Sequence, residues 1–218
     1  MPMKTNEREY RDMSMVVREM PGEESENNEM IVEGYASTFN KPYTLYRDEY
    51  VEIREVIDKD AFNETDMSDV IMQYNHEGRV FARISNNTLT VNPDERGLFI
   101  SADLGGTEIG RGLYEEIKGG YTDKMSFGFT VPADGDTWDE TKDDNGFIYT
   151  TRTINKVGKL YDVSAVSIPA NDATSISVRD LSTGVVEKIQ AERLEAEKLE
   201  LERKRTETRA RAITRGSK

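Results

Sequence analysis

The sequence predicts an α+β fold: a small, mostly antiparallel β-barrel or closed sheet, one helix packed on it, and a long C-terminal helix projecting away. Three observations lead there. Several short segments alternate apolar and polar residues with the period of two that marks a half-buried strand, most clearly Lys124–Val131. One internal segment, Glu108–Lys118, has helical periodicity instead. From Gly184 the composition turns to Glu, Lys, Arg, Ala and Leu, with no Gly or Pro before Gly216, and that mixture favours helix.

Taken in order, residues 1–28 are polar and end in Pro21-Gly-Glu-Glu-Ser-Glu-Asn-Asn28. That is the composition of a flexible N-terminal arm, or of an early strand followed by a disordered loop. Met30–Phe39 reads as a strand stopped by Asn40-Lys-Pro42. Tyr50–Ile57 alternates apolar and charged residues, so it is a strand with one wet face, and Asp60–Asn63 reads as a short helical turn. Val70–His76 is a third strand, ending where His76-Glu-Gly78 turns, and Val80–Ile84 follows at once. Leu89–Val91 and Leu98–Asp103 flank Asn92–Gly97, a hairpin loop. In the helix Glu108–Lys118, Thr107 caps the start, Glu108 suits the positive end of the dipole, and Ile109, Leu113 and Ile117 form the buried stripe. Gly119-Gly120 ends it.

In Lys124–Val131, the side chains of Met125, Phe127, Phe129 and Val131 share one face, and Ser126, Gly128 and Thr130 share the other. The first face suits a core. The second carries only small residues, so something can lie against it. Asp134–Gly146 is acidic and reads as a solvated loop with an Asn145-Gly146 turn. Phe147–Ile154 and Lys159–Ile168 are two further strands, the second closed by Pro169-Ala-Asn-Asp172. Val185–Arg215 reads as one helix, but Ile189, Leu194, Leu199 and Leu201 keep no steady heptad, which suits a solvated or partner-binding helix better than a coiled coil. The domain plan is therefore an N-terminal arm (1–28), a globular domain (29–183) and a charged C-terminal helix (184–218).

The 218 residues include 42 acidic and 29 basic side chains, for a net charge of −13. Residues 187–218 carry +3, with ten basic against seven acidic, so the rest carries −16. Phosphate backbones would be repelled, which disfavours non-specific nucleic-acid binding and favours a partner with a basic segment. The absence of cysteine excludes disulfides, thiol catalysis and thiolate metal sites. The N-terminus has no apolar signal core and no run reaches the ~18 apolar residues of a membrane helix. The expectation is a soluble, intracellular protein without membrane attachment.

Three residues carry candidate chemistry. His76 is the single histidine. A lone histidine is more often structural than catalytic, but its solitude makes a zinc site improbable and leaves His76 as the sole histidine base for any hydrolase. Ser126 sits on the small-residue face of its strand, where a nucleophile needing such a base would sit. It lacks a Gly-x-Ser-x-Gly elbow, and a small strand residue is the ordinary reading. Asp162 lies within the apolar and hydroxylic Leu160–Ala170, and a carboxylate in such a strand either faces water at an edge or has a partner. The acidic loop Asp134–Asp144 does not match an EF-hand, so a Ca²⁺ module is a minor alternative. No cofactor is expected.

Three motifs in order resemble one family: Tyr74-Asn-His-Glu77, Lys124-Met-Ser-Phe-Gly-Phe129 and Leu160-Tyr-Asp-Val-Ser-Ala-Val-Ser-Ile-Pro-Ala170, with Gly34-Tyr-Ala-Ser-Thr-Phe39 upstream. His76 precedes Ser126 by 50 residues and Ser126 precedes Asp162 by 36. Over roughly residues 29–180 the chain is similar to the tailed-phage prohead serine proteases, a family thought to share the assemblin fold of herpesviruses. The resemblance implies a capsid maturation endopeptidase inside the prohead, in the host cytoplasm. It would cut scaffold protein or the scaffolding segment of the major capsid protein, and itself, with self-association left open. It implies His76 as base, Ser126 as nucleophile and Asp162, where the family often has Glu, as the acidic partner. Assemblins use a second histidine as third member, which this chain lacks. The oxyanion donors stay open, with backbone N–H groups near Ser126–Gly128 or Ser164–Asn171 as candidates. The competing reading is a non-enzymatic β-rich capsid assembly protein.

Overall fold

The computed structural model describes residues 8–14, 18–19 and 30–167, together with helical positions between 187 and 204. Two units are distinguished, Met1–Arg179 and Asp180–Lys218. In the second, the described positions are helical, within the stretch expected to be one helix. The rest of that stretch, and the Pro169–Asp172 stop, lie outside the described residues.

The first unit is mostly β. Its strands are β1 (Arg8–Ser14), β2 (Arg18–Glu19), β3 (Ile31–Thr38), β4 (Tyr43–Arg47), β5 (Val51–Ile57), β6 (Ile71–Tyr74) and β7 (Glu77–Arg83). They continue as β8 (Leu89–Pro93), β9 (Gly97–Asp103), β10 (Lys124–Thr130), β11 (Asp136–Lys142), β12 (Ile148–Ile154) and β13 (Lys159–Val166). Among the described residues of this unit one α-helix, α1 (Glu108–Lys118), falls where expected. Its Thr107 Oγ1 accepts from the Gly110 N–H at 3.0 Å, and Gly120 adopts a left-handed φ of 72° just past its end.

The strands make three open sheets, ordered β1-β10-β13-β6-β7, β11-β12-β5-β4 and β2-β3-β9-β8. The ladders are antiparallel except β12 on β5 and β13 on β6. The expected mostly antiparallel β architecture is present, but each sheet keeps two edges, and no closed barrel forms among the described residues. Closure would remove those edges. Irregular register at Gly128/Phe129, Tyr35/Ser37 and Thr44/Tyr46 bends individual strands, and the sheets meet through a shared apolar core rather than through one continuous ladder. That core joins Met72, Leu98, Ile100, Phe127, Phe129, Leu160 and Val163, and the Leu113 side of α1 packs with it.

Two strands lie where the sequence suggested none. β4 returns on β5 past the Asn40-Lys-Pro42 stop. The acidic segment expected as a solvated loop is largely strand β11, paired with β12 from Asp136↔Ile154 to Lys142↔Ile148. Its residues are mostly exposed because it is the outer edge of its sheet, and charge on an edge strand discourages further pairing. The Asn145-Gly146 turn stands, with Gly146 at φ 85°. β1 realises the early-strand alternative for the N-terminal segment and adds an edge to the sheet that bears Ser126.

No helix among the described residues is long and apolar enough to cross a membrane.

Candidate active site

The sheet β1-β10-β13-β6-β7 gathers the three candidate residues. In the β10–β13 ladder Ser126 stands opposite Ser164 and Gly128 opposite Asp162, so the nucleophile candidate and the acid lie on adjacent strands with one pair, Phe127↔Val163, between their positions. β6 runs parallel to β13, with Ile71 beside Asp162 and Tyr74 beside Ala165. The chain then reverses through Asn75 and His76, both at positive φ (51° and 61°), and Tyr74 pairs with Glu77 across the turn. A two-residue hairpin turn of the type that fits strand twist needs positive φ at both central residues. Asn tolerates that region well, and His more than most. The turn is pinned to the end of β13 by the Asn75 N–H donating to the Ala165 carbonyl at 2.9 Å.

The result is a continuous chain of polar contacts. His76 Nδ1 lies 2.5 Å from Asp162 Oδ1, and His76 Nε2 lies 2.6 Å from Ser126 Oγ. With the imidazole proton on Nδ1 and donated to Asp162, Nε2 is left as an acceptor facing the serine hydroxyl. Asp162 Oδ1 also accepts from Ser164 Oγ at 2.8 Å, and its other oxygen pairs with the Arg8 guanidinium. The Tyr10 ring lies over His76, with centroids 4.3 Å apart.

Asp162 is fully buried, and burial alone would push its pKa up. The hydrogen bond and charge of His76, the Ser164 hydroxyl and the Arg8 cation outweigh burial and hold it below the ordinary value of 3.8. Glu9 follows the same rule. Its burial raises the pKa, but Arg11 and Arg152 bring it below the ordinary 4.5. Both carboxylates are therefore more acidic folded than unfolded. Their stabilisation is complete above the ordinary carboxylate range and is lost as pH falls through the depressed folded values. Melting temperature is expected to fall steeply in that acid range, and Asp162→Asn to flatten part of the slope. An unchanged slope in the variant would contradict this assignment.

Gly128 shows why the face beside Ser126 has to be small. A Cβ on Gly128 would sit 2.4 Å from Asp162 Oδ2, 2.9 Å from Tyr10 Cε1 and 3.0 Å from Arg8 Nε. The carboxylate is bonded on all sides and has nowhere to go. Gly128→Ala is expected to displace Asp162, and through it His76, lowering kcat about 10²-fold, the cost of misplacing a reacting group by roughly 1 Å. Melting of the same variant should show a cost of about 1–3 kcal/mol from overpacking. Normal kcat in a stable variant would exclude the positioning role.

Three contributors escaped the sequence reading. Arg8 and Tyr10 belong to a segment that looks polar throughout. The reason is that the other face of β1 is charged as well: Glu9 and Arg11 turn inward to meet Glu55 of β5 and Arg152 of β12. Charged residues on both faces give no apolar alternation, so nothing in the sequence marks this strand as half-buried. Ser164 lay within the third quoted motif, but only its place opposite Ser126 reveals that it bonds Asp162.

A family model described as caudovirus prohead serine protease matches residues 17–189. No curated protein matches the chain. Among solved structures, the bacteriophage T4 capsid assembly protease aligns over 98% of its own chain and 72% of this one, with 16% identity and a TM-score of 0.36.

Proposed function

The chain belongs to the caudovirus prohead serine protease family, and on that premise we propose that His76, Ser126 and Asp162 are its catalytic residues. The observation that carries the reading is the unbroken Asp162–His76–Ser126 contact chain, at 2.5 and 2.6 Å. His76 Nε2 takes the Ser126 proton as Oγ attacks the substrate carbonyl carbon, and a tetrahedral intermediate forms. Asp162 holds the Nδ1 proton and stabilises the imidazolium. The imidazolium then protonates the leaving amine, and an acyl-serine remains. Water, deprotonated by the same imidazole, attacks the acyl carbon and releases Ser126. The chain order His…Ser…Asp is no obstacle, because triads are defined by geometry.

The substrates in this reading are a scaffold protein or the scaffolding segment of the major capsid protein, together with the enzyme itself, inside the prohead. The −16 charge outside residues 187–218 suits a basic target segment. The protease domain is residues 29–183, joined by β1 from the preceding segment. The charged segment 184–218, expected from its sequence to be helical, is assigned as a tether to the assembling shell, on the strength of its mixed charge and the helical positions described between 187 and 204. Truncation after Thr183 should then leave cleavage of a soluble substrate unchanged and reduce incorporation into proheads. Unchanged incorporation would dismiss the tether.

The test of the enzyme assignment is intact mass against time for the purified chain, alone and mixed with its scaffold and capsid proteins. Defined fragments that appear with wild type and not with Ser126→Ala support it. Identical trimming of both proteins points to a contaminant and removes the serine from the mechanism.

A further inference from the structure

We infer that the edge of β10 now filled by β1 is the site for the extended substrate segment, and that β1 is its intramolecular occupant, which keeps the serine closed. The inference rests on the reading of Ser126 as nucleophile. Ser126 is 0% exposed, and its hydroxyl donates to the Arg11 carbonyl at 2.9 Å. A nucleophile needs the acyl carbon about 3–3.5 Å away, and in this conformation the carbonyl beside Oγ belongs to β1. The serine has one proton, so the Arg11 carbonyl also competes for it with His76 Nε2.

β1 pairs along β10 from Arg8↔Thr130 to Ser14↔Lys124 and is the outer strand of its sheet. An incoming peptide that adds to β10 by main-chain bonding would take the same ladder, a common way for a sheet edge to bind an extended segment. Both cannot be there together.

The attachment of β1 is suited to release. Arg8, Glu9, Tyr10 and Arg11 contribute nothing to the apolar core. β1 brings one acid and one base to the buried cluster, so its departure leaves the cluster's net charge unchanged. Glu55 and Arg152 remain paired at 2.9 Å, and Arg152 also holds Asp136 at 2.6 Å. Removing β1 as a unit therefore avoids the uncompensated buried charge that removing one partner would leave. It also frees Asp162 from the Arg8 cation, so the full carboxylate charge faces the imidazolium that forms during attack.

The test measures the rate at which a fluorophosphonate probe labels Ser126 in the full chain. The Oγ–P bond forms as P–F breaks, fluoride leaves, and the hydroxyl proton passes to His76. Two variants move β1 in opposite senses. Ser14→Cys with Lys124→Cys places a disulfide across two residues paired in the ladder, in a chain with no other cysteine. Glu9→Gln weakens the anchor of β1 to Arg152 of β12. Labelling should be at least about tenfold slower in the oxidised staple than in its reduced form, and faster than wild type in Glu9→Gln. Equal rates in the oxidised and reduced staple, or faster labelling when oxidised, would overturn the inference and leave the nucleophile in place. Absence of label even in a folded Glu9→Gln chain would overturn it too, because β1 would not be what withholds the serine. If Glu9→Gln does not fold, the staple comparison decides alone. Label that survives both Ser126→Ala and His76→Ala would instead remove the catalytic reading itself, and the inference with it.

Discussion

Ser126→Ala and His76→Ala are each expected to lower peptide-bond cleavage by about 10⁶-fold, and the double variant is expected to lose no more than either alone. The reason lies in the single contact between Ser126 Oγ and His76 Nε2 at 2.6 Å. Without the hydroxyl there is no nucleophile, and the imidazole has no proton to take. Without the imidazole the hydroxyl keeps its proton, and no second histidine exists to replace the base. Side chains that act as a unit in the way proposed have effects that do not add. Asp162→Asn should cost less, about 10⁴-fold in kcat, because the nucleophile and base remain while the imidazole loses the partner that fixes its tautomer. Turnover of a defined peptide by all four variants, each with its melting curve, checks the series. A double variant much slower than both singles would show that the two residues act independently. Near-normal turnover in Asp162→Asn would move the orienting role elsewhere.

Arg152→Met should give the largest loss of stability, about 3–5 kcal/mol. Arg152 is fully buried and touches three carboxylates. Its Nε donates to Asp136 at 2.6 Å, and its other nitrogens donate to Glu9 at 2.6 and 3.0 Å and to Glu55 at 2.9 Å. Burial would lower the guanidinium pKa, but these anions raise it, so Arg152 is charged at every pH at which the protein folds. Methionine fills similar space and leaves Asp136 without that cation, with only Arg11 to answer Glu9 and Glu55. Arg152→Lys should fail to restore full stability, since one ammonium cannot serve three carboxylates in a planar fork. At roughly 2–4 °C per kcal/mol for a chain of this size, the methionine variant should melt some 6–20 °C lower. Chemical denaturation provides the free energy directly. A loss below about 1 kcal/mol would mean that the cluster is solvated enough to ignore its charges. Replacing Glu9, Arg11, Glu55 and Arg152 together by apolar residues should cost less than the single change, because buried ion networks often exchange evenly for apolar packing.

These two predictions involve the same strand from opposite faces. Tyr10 and Arg8 meet the His76–Asp162 pair, whereas Glu9 and Arg11 meet Arg152 and Glu55. On the inferred role of β1, a change in the buried cluster should be transmitted to the serine through the position of that strand. Arg152→Met is expected to alter Ser126 reactivity as well as stability.

How much was legible in the sequence follows from the range over which each feature is decided. Helix α1 was readable to the residue, because its cap, dipole charge, apolar spacing and terminal glycines all lie within fourteen consecutive positions, Thr107–Gly120. β10 was readable because its two faces differ sharply in size, and the turn at His76 because chain reversal is a local property. The three candidate site residues were singled out by residue type and by the ordered resemblance of their motifs. β4 and β11 were missed because their partners supply the order, and both are mostly polar edge strands. β1 was left between arm and strand because its inward residues are charged and become tolerable only when Glu55 and Arg152 arrive from distant parts of the chain.

By itself, then, the sequence determined the β-rich character, the single internal helix, and the candidate residues His76, Ser126 and Asp162 with the chemistry of their types. The first two depend on periodicity and composition, which neighbouring positions express directly, and the site residues on the ordered resemblance of three motifs. Only the tertiary structure decided that the strands form three open sheets, that the three side chains touch in series, and that an N-terminal strand closes over the serine. Each of these depends on pairing between segments tens of residues apart, or on a buried charge finding its counter-charge, and no local pattern encodes either.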